Sequence, residues 1–332
     1  MTAPSMATKA ASSSLSPCIR LIEESLLLPT QDVGLFASTF LLIFAHTFAF
    51  IAVAVHFAHP LATSLLADIE ALVKSSTTSS HESYSTMVDT TTREHAKKLL
   101  LIYLAYVASK LATQLAAALA ASATYSGERL TRKAVRDRVP GLLCTAAVAG
   151  ALELSLTALL VVAPLVSTWT LAGGSGSSGA KSACGYSLLL VALLLDAYLG
   201  TVVTVGVAAS AADRGCHGIR ALCRAWRLVR AAGGKEAAVL VFVVSLLPAV
   251  VYPAPVYAFS FAYPAERYSP WYQGDSHFSG YYSRVGNQDV WLLGVVSGSG
   301  LPSVGAQLFA MVAATVFCCM SMETNAKGAR PV

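Results

Sequence analysis

Four ionisable side chains stand inside long apolar runs, where such groups are costly: His46, Lys110, Glu153 and Asp196. Counted from the start of its run, each lies ten to twelve residues in. At 1.5 Å per residue that depth is about 15–18 Å, the middle of a hydrocarbon layer roughly 30 Å thick. An ionisable group there costs several kcal/mol unless paired or hydrated, so it normally faces other helices. The chemistry is that of opposed charges. Lys110 is expected to approach Glu153, Asp196 or both, with His46 and Gln114, one turn from Lys110, as further members. Two readings are open: an ion pair that fixes helix register, or a proton- or cation-coupled site in which the carboxylates carry charge and Lys110 tunes them.

A second constellation lies in DRGCHGIRALCRAWRLVRAAGGK, residues 213–235. Ile219, Leu222, Trp226 and Val229 recur at helical spacing, and Arg220, Arg224 and Arg227 stand on the other side. The segment reads as a basic amphipathic helix closed by Gly233-Gly234. Beside an anionic leaflet each basic residue contributes about 1 kcal/mol at low salt, and Trp226 suits the headgroup level. Arg220, Arg224, Trp226, Arg227 and Arg230 are therefore the candidate lipid- or partner-binding residues. The plainer reading is that these arginines only set orientation.

The elements that must position both groups follow from composition. Of 332 residues, 55% are hydrophobic and only 12% charged, against about 25% charged in a soluble domain. Apolar runs at about 34–58, 98–123, 141–168, 186–212, 236–262 and 301–322 predict an all-α polytopic membrane protein. It would have six transmembrane helices and short amphipathic interfacial helices. Residues 1–16 read as a disordered tail, 17–322 as the transmembrane domain and 323–332 as a C-terminal tail. The Ser/Ala-rich start lacks the apolar run of a secretory signal. Its composition is weakly similar to an organelle transit peptide, but a plain tail is the simpler reading.

Between the spans, Cys18, Ile19, Ile22 and Leu26 lie opposite Glu23 and Glu24, predicting a surface helix from Ser16-Pro17 that Pro29 ends. Residues 61–73 give a second amphipathic stretch, 75–92 a polar low-complexity loop and 173–179 a Gly/Ser turn. Pro248, Pro253 and Pro255 predict a kinked fifth span. The loop 263–289 collects Tyr263, Tyr268, Trp271, Tyr272, Phe278, Tyr281 and Tyr282, which suits a membrane–water interface.

Charge sets the orientation. Fifteen Lys/Arg fall in the two tails and in the 124–140 and 213–235 connections, against seven in the opposite loops. That bias puts both termini in the cytosol of a multi-pass protein of an endomembrane or the plasma membrane. With that topology Cys184 is the sole non-cytosolic loop cysteine, so no lumenal disulfide forms within the chain. Cys318 and Cys319, near the cytosolic end of the last span, are either lipidation sites or small apolar residues in a helix. Cys216 and Cys223 lack a metal-ligand spacing, and no dinucleotide, phosphate-loop, zinc-protease or nucleophile-elbow motif occurs. No cofactor, metal or enzymatic activity is expected.

Two blocks carry a resemblance. In TYSGERLTRKAVRDRVP the residues Tyr125, Gly127, Arg129, Arg138, Val139 and Pro140 match a cytosolic turn of the form Tyr-x-Gly-basic, followed by a short helix ending Arg-Val-Pro. In the second block Asp213, Gly218, Ala221, Ala225 and Leu228 match an acidic residue, Gly, then Ala-x-x-x-(Ser/Ala)-x-x-Leu. Together they resemble a plant-specific family of six-span membrane proteins without an assigned biochemical activity. More distantly they are similar to the membrane domain of some bacterial glycerophosphodiester phosphodiesterases. The resemblance implies the six-span fold and brings no catalytic residues. Ala225 where the family has Ser, and Lys110 within a span, depart from its pattern.

The functional expectation is a membrane organiser or adaptor that meets lipids or cytosolic partners through its basic helices. The alternative is a transporter or channel using the midplane charges. The partner implied is the lipid bilayer, with anionic lipids suited to the arginines, and the loop-confined charge does not call for nucleic acid. Lys110→Met separates the two readings of the midplane group. Thermal unfolding and localisation of the variant fail if the charge holds the fold together. A folded, correctly localised variant without solute flux in liposomes marks a transport site.

Overall fold

The computed structural model describes residues 16–58, 60–65, 68, 82–128, 131–172, 178–213, 215–232, 234–248 and 300–328, and among these there is no strand. The helices are α1 (Pro17–Gln31), α2 (Val33–Val53), α3 (Glu82–Ser126), α4 (Arg132–Ala172), α5 (Ser178–Ala212), α6 (Ile219–Ala231), α7 (Gly234–Val241) and α8 (Leu301–Gly328). Among the described residues five stretches are long and apolar enough to cross a membrane: Val33–Leu65, Thr90–Ser126, Val135–Leu159, Leu190–Ala212 and Leu301–Thr324. The described residues are all-α, with the pattern of a multi-pass membrane protein.

Two π turns, Ala54–Ala58 and Phe242–Leu246, continue α2 and α7. Each ends two residues before a proline, Pro60 and Pro248. A proline has no N–H for the carbonyl four residues back, His56 or Val244, and the ladder widens locally to absorb the defect.

The chain divides into two compact units. The larger holds residues 1–41, 111–249 and 305–332. Its core is a single cluster drawn from α1, α2, α3, α5, α6, α7 and α8, including Leu21, Leu28, Phe36, Ala121, Val205, Ala225, Val229, Leu240, Val312 and Val316. Small residues let these helices approach closely: Ala117, Ala118, Ala120 and Ala121 on α3, Ala208, Ala209 and Ala211 on α5, Ala313 and Ala314 on α8 are all buried. Buried hydroxyls are satisfied mostly along their own helix, as where Thr201 donates to the Ala197 carbonyl (2.8 Å) and Thr315 to that of Met311 (2.8 Å). The second unit, residues 42–110 and 250–304, contains the remainder of α2 and the first half of α3.

Several boundaries differ from the sequence expectation. The polar tract 75–92 reads as a loop, yet from Glu82 onward it is the start of α3. No Gly or Pro interrupts residues 82–126. Once the apolar span has nucleated the helix, adding a Ser or Thr costs only a few tenths of a kcal/mol. Pro29 sits inside α1 instead of ending it, residues 60–65 are helical from Pro60 itself, and α4 runs unbroken through Arg138-Val139-Pro140. Ser178, assigned to the 173–179 turn, begins α5. Of the expected fifth span only residues up to 248 are described, and the aromatic loop 263–289 lies outside the described residues.

Candidate functional site

The basic helix α6 is clamped to the larger unit by its small residues. Ala221, Ala225 and Val229, spaced four apart, are fully buried. Opposite them on α5, Gly206 leaves room for Leu222: a Cβ there would touch Leu222 at 3.4 Å. Of the apolar Ile219–Leu222–Trp226–Val229 stripe, only Val229 belongs to this buried face. Ile219 is 67% and Trp226 41% exposed, and Arg220, Arg227 and Arg230 are exposed as well. Trp226 is not free of the fold, since its ring meets Tyr198 of α5 edge-on at 5.3 Å.

Arg224 departs from the other arginines. It forms an ion pair with Asp213 across the α5–α6 connection. The Gly215 N–H donates to the same carboxylate at 2.9 Å. That donation, with Arg224, holds the Asp213 carboxyl below its usual range. The connection ends at Gly218, whose φ of +59° is left-handed and suits glycine. Its N–H donates to the Thr145 hydroxyl (2.8 Å), which donates to Ser210 (2.9 Å). The His217 ring lies flat against Gly141, where a Cβ would come within 2.3 Å of the imidazole. A hydroxyl on α4 and a bare glycine beneath a histidine thus aim α6.

The same end of the unit gathers other termini. Arg138, its side chain 10% exposed, pairs with Glu128 and donates to the Ala211 carbonyl at the end of α5 (3.4 Å). The Ser122 hydroxyl on α3 donates to that carbonyl too (3.5 Å). Tyr125 donates to Glu323 of α8 at 3.2 Å. Arg20 on α1 pairs with Glu24 (2.8 Å) and feels the charge of Glu323. Gly127, φ +67°, turns the chain after α3.

The midplane residues fall in both units. His46 and Lys110 belong to the smaller one, Glu153 and Asp196 to the larger. His46 is buried, its Nδ1 2.7 Å from the Ser109 hydroxyl and its ring stacked on Tyr106 at 5.9 Å and near Phe50 at 4.9 Å. Lys110, the next residue after Ser109, is within electrostatic reach of that ring. Lys110, Glu153 and Asp196 are each half-buried and each engaged in a polar or electrostatic contact. Gln114 is also half-buried. Cys318 is fully buried and Cys319 half-buried.

Sequence reasoning missed Ser109, Thr145, Ser210, Tyr198 and His217. A hydroxyl inside an apolar helix has no periodic signature. The one readable sign was glycine: Gly141, Gly206 and Gly218 each interrupt helical or cap sequence where a neighbour comes close. No family model, no curated protein and no solved structure matches the chain.

The Asp213–Arg224 pair gives a pH-dependent signature. A carboxyl held below its unfolded value stabilises the fold above that unfolded value and loses the contribution as pH falls through the folded one. Both side chains are about a third exposed, so screening limits the effect to about 1 kcal/mol or less. Asp213→Asn is expected to lower thermal stability in detergent by that amount at neutral pH. In acid, once the carboxyl has titrated, its unfolding curve should coincide with that of the unsubstituted chain.

Proposed function

We propose that the chain is a six-span membrane protein, with both termini in the cytosol, that organises anionic lipid around a rigidly held basic helix. The observation that carries this reading is the orientation of α6. Its alanine face is spent on the bundle, so Arg220, Arg227 and Arg230 are turned outward beside the exposed rings and branches of Trp226 and Ile219. A cationic edge next to an apolar edge is the arrangement that an anionic headgroup above an acyl chain satisfies.

The sixth span is supported by parity. The C-terminal ends of α3, α5 and α8 meet, through Ser122 with Ala211 and Tyr125 with Glu323. From Leu301 to Glu323 the helix α8 rises about 33 Å, a full hydrocarbon thickness. A chain that leaves α5 at that end and crosses again along α8 fits one further crossing between them, which the apolar run at about 236–262 would supply. The start of such a crossing is α7 with the π turn that continues it, whose Ser245 hydroxyl lies 2.8 Å from that of Thr201 on α5. α1 belongs to the same end, so the two termini share a side, and the excess of Lys/Arg there makes it cytosolic. α1 and α6 are then the interfacial helices.

A second reading, a transporter or channel, has one observation in its favour: the buried His46 with the half-buried Ser109 and Tyr106 beside Lys110 within the smaller unit.

Two measurements test the proposal. Tags at residue 1 and residue 332 should both be digested by protease added to sealed vesicles whose cytosolic face is outward, and protection of either tag sinks the six-span topology. For lipid recognition, brominated anionic phospholipid should quench the fluorescence that Trp226→Phe removes more strongly than brominated neutral phospholipid. The preference should disappear when Arg220, Arg227 and Arg230 are all replaced by Gln. Equal quenching by the two lipids in the unsubstituted protein counts against lipid organisation.

A further inference from the structure

The arginines of α6 explain a choice of headgroup, but they do not explain the apolar ridges beside them. α1 buries Leu21 and Leu28, and α6 buries Ala225 and Val229, in the same cluster with Ala121, Val205, Val312 and Val316. Each helix then carries a second apolar ridge turned away from that cluster: Ile19, Ile22 and Leu26 on α1, Ile219 and Trp226 on α6. Among the described residues the core takes one face of each helix and leaves most of the second ridge exposed.

What covers these ridges follows from their continuity with the surface that the spans present to lipid. Trp226 packs on Tyr198. One turn back along α5 lie Leu194 and Leu195, in the exposed apolar stretch with Leu190, Val191 and Leu193. α1 passes through the single residue Asp32 into α2, where Val33, Leu41 and Leu42 are exposed. The acyl chains that bathe these leucines therefore reach the two ridges. How deep the helices lie is set by their charges: Arg220, Arg227 and Arg230 on α6, and Glu23 and the Arg20–Glu24 pair on α1, must keep water or headgroups within reach.

We propose that α1 and α6 are a pair of wedges lying in the headgroup–acyl boundary of one leaflet, and that they make the protein partition toward bilayers in which that leaflet is convex. The reasoning rests on the lipid-facing orientation of α6 given above. A helix about 10 Å across, inserted only to the depth of its apolar ridge, spreads the headgroups above it more than the chains beneath it. Bending that leaflet outward relieves the mismatch. Two such helices fixed to one rigid core act at the same level and add.

The test uses the full chain, fluorescently labelled and reconstituted into giant vesicles from which narrow tubes are pulled, in neutral phosphatidylcholine and in a mixture with phosphatidylserine. Molecules with the arginine-bearing end on the outer leaflet should be at least about twofold denser in the tube than in the flat membrane, and oppositely inserted molecules depleted. Ile22→Ser with Leu26→Ser on α1, or Ile219→Ser on α6, should each move the ratio toward one. These residues face outward, so their thermal unfolding should be unchanged. A ratio of one for the unsubstituted protein in both lipid compositions overturns the proposal, as does enrichment that neither variant reduces. Failure of the anionic-lipid reading is distinguishable: it shows as equal quenching of Trp226 by anionic and neutral lipid in flat membranes, whatever the tube ratio.

Discussion

From Thr201 to Ala211 every residue of α5 is buried. Eleven consecutive buried residues make three turns of helix with no face left for lipid or water, and such a helix must be surrounded on all sides. The rest of the larger unit can be understood as the means of surrounding it. α4 supplies Thr145 against Ser210, α3 supplies Ser122 against Ala211, the π turn after α7 supplies Ser245 against Thr201, and α6 covers Gly206 with Leu222. The contacts that close around α5 are small: alanine, glycine, serine and threonine. In lipid, where apolar burial between helices gains little over contact with acyl chains, close backbone approach and short hydrogen bonds supply the association.

This requirement accounts for the shape of the connection between α5 and α6. A 13-residue helix must turn back immediately and present a narrow face to α5. Gly218 gives the turn its left-handed residue, Asp213 holds Arg224 across it, and Ala221 and Ala225 give the face its narrowness. A larger residue at either alanine would overpack the interface, typically at about 1–3 kcal/mol. The residue types at these positions, and at Tyr125, Gly127 and Arg138 on the facing turn, are explained by this geometry alone, without appeal to any relative.

How much of this was legible in the sequence depends on what kind of signal each part leaves. Apolar runs report spans, because length against hydrocarbon thickness is a one-dimensional property, and the runs near α2, α3, α4, α5 and α8 are helices long enough to cross. Which side of a helix faces a neighbour is a different matter. Hydrophobic periodicity marked Ile219, Leu222, Trp226 and Val229 as the apolar side of α6, but it gave no sign that Ala221 and Ala225 are the residues that pack on the bundle. Depth arithmetic put His46, Lys110, Glu153 and Asp196 at one level, but depth says nothing about azimuth. It could not foresee that His46 would satisfy its ring with Ser109 and stack on Tyr106. The polar tract before α3 misled for the opposite reason: composition described its solubility and not its continuity with the helix it precedes.

The arithmetic of the exposed arginines limits what α6 contributes to membrane attachment. Arg224 is engaged by Asp213, which leaves Arg220, Arg227 and Arg230 turned outward. At about 1 kcal/mol each near an anionic leaflet, three arginines supply about 3 kcal/mol at low salt and less where the screening length is about 8 Å. Spans that cross the bilayer already make insertion effectively irreversible, so this increment adds nothing to anchoring. It is, however, about a hundredfold in the local preference for one lipid over another, since each 1.4 kcal/mol is a factor of ten. On the proposed reading, a fixed basic helix on a membrane-spanning bundle would act on the lipid and not on the protein: the protein stays, and the lipids exchange around it. Selection of neighbours, not recruitment to a surface, is the work that such an energy is the right size to do.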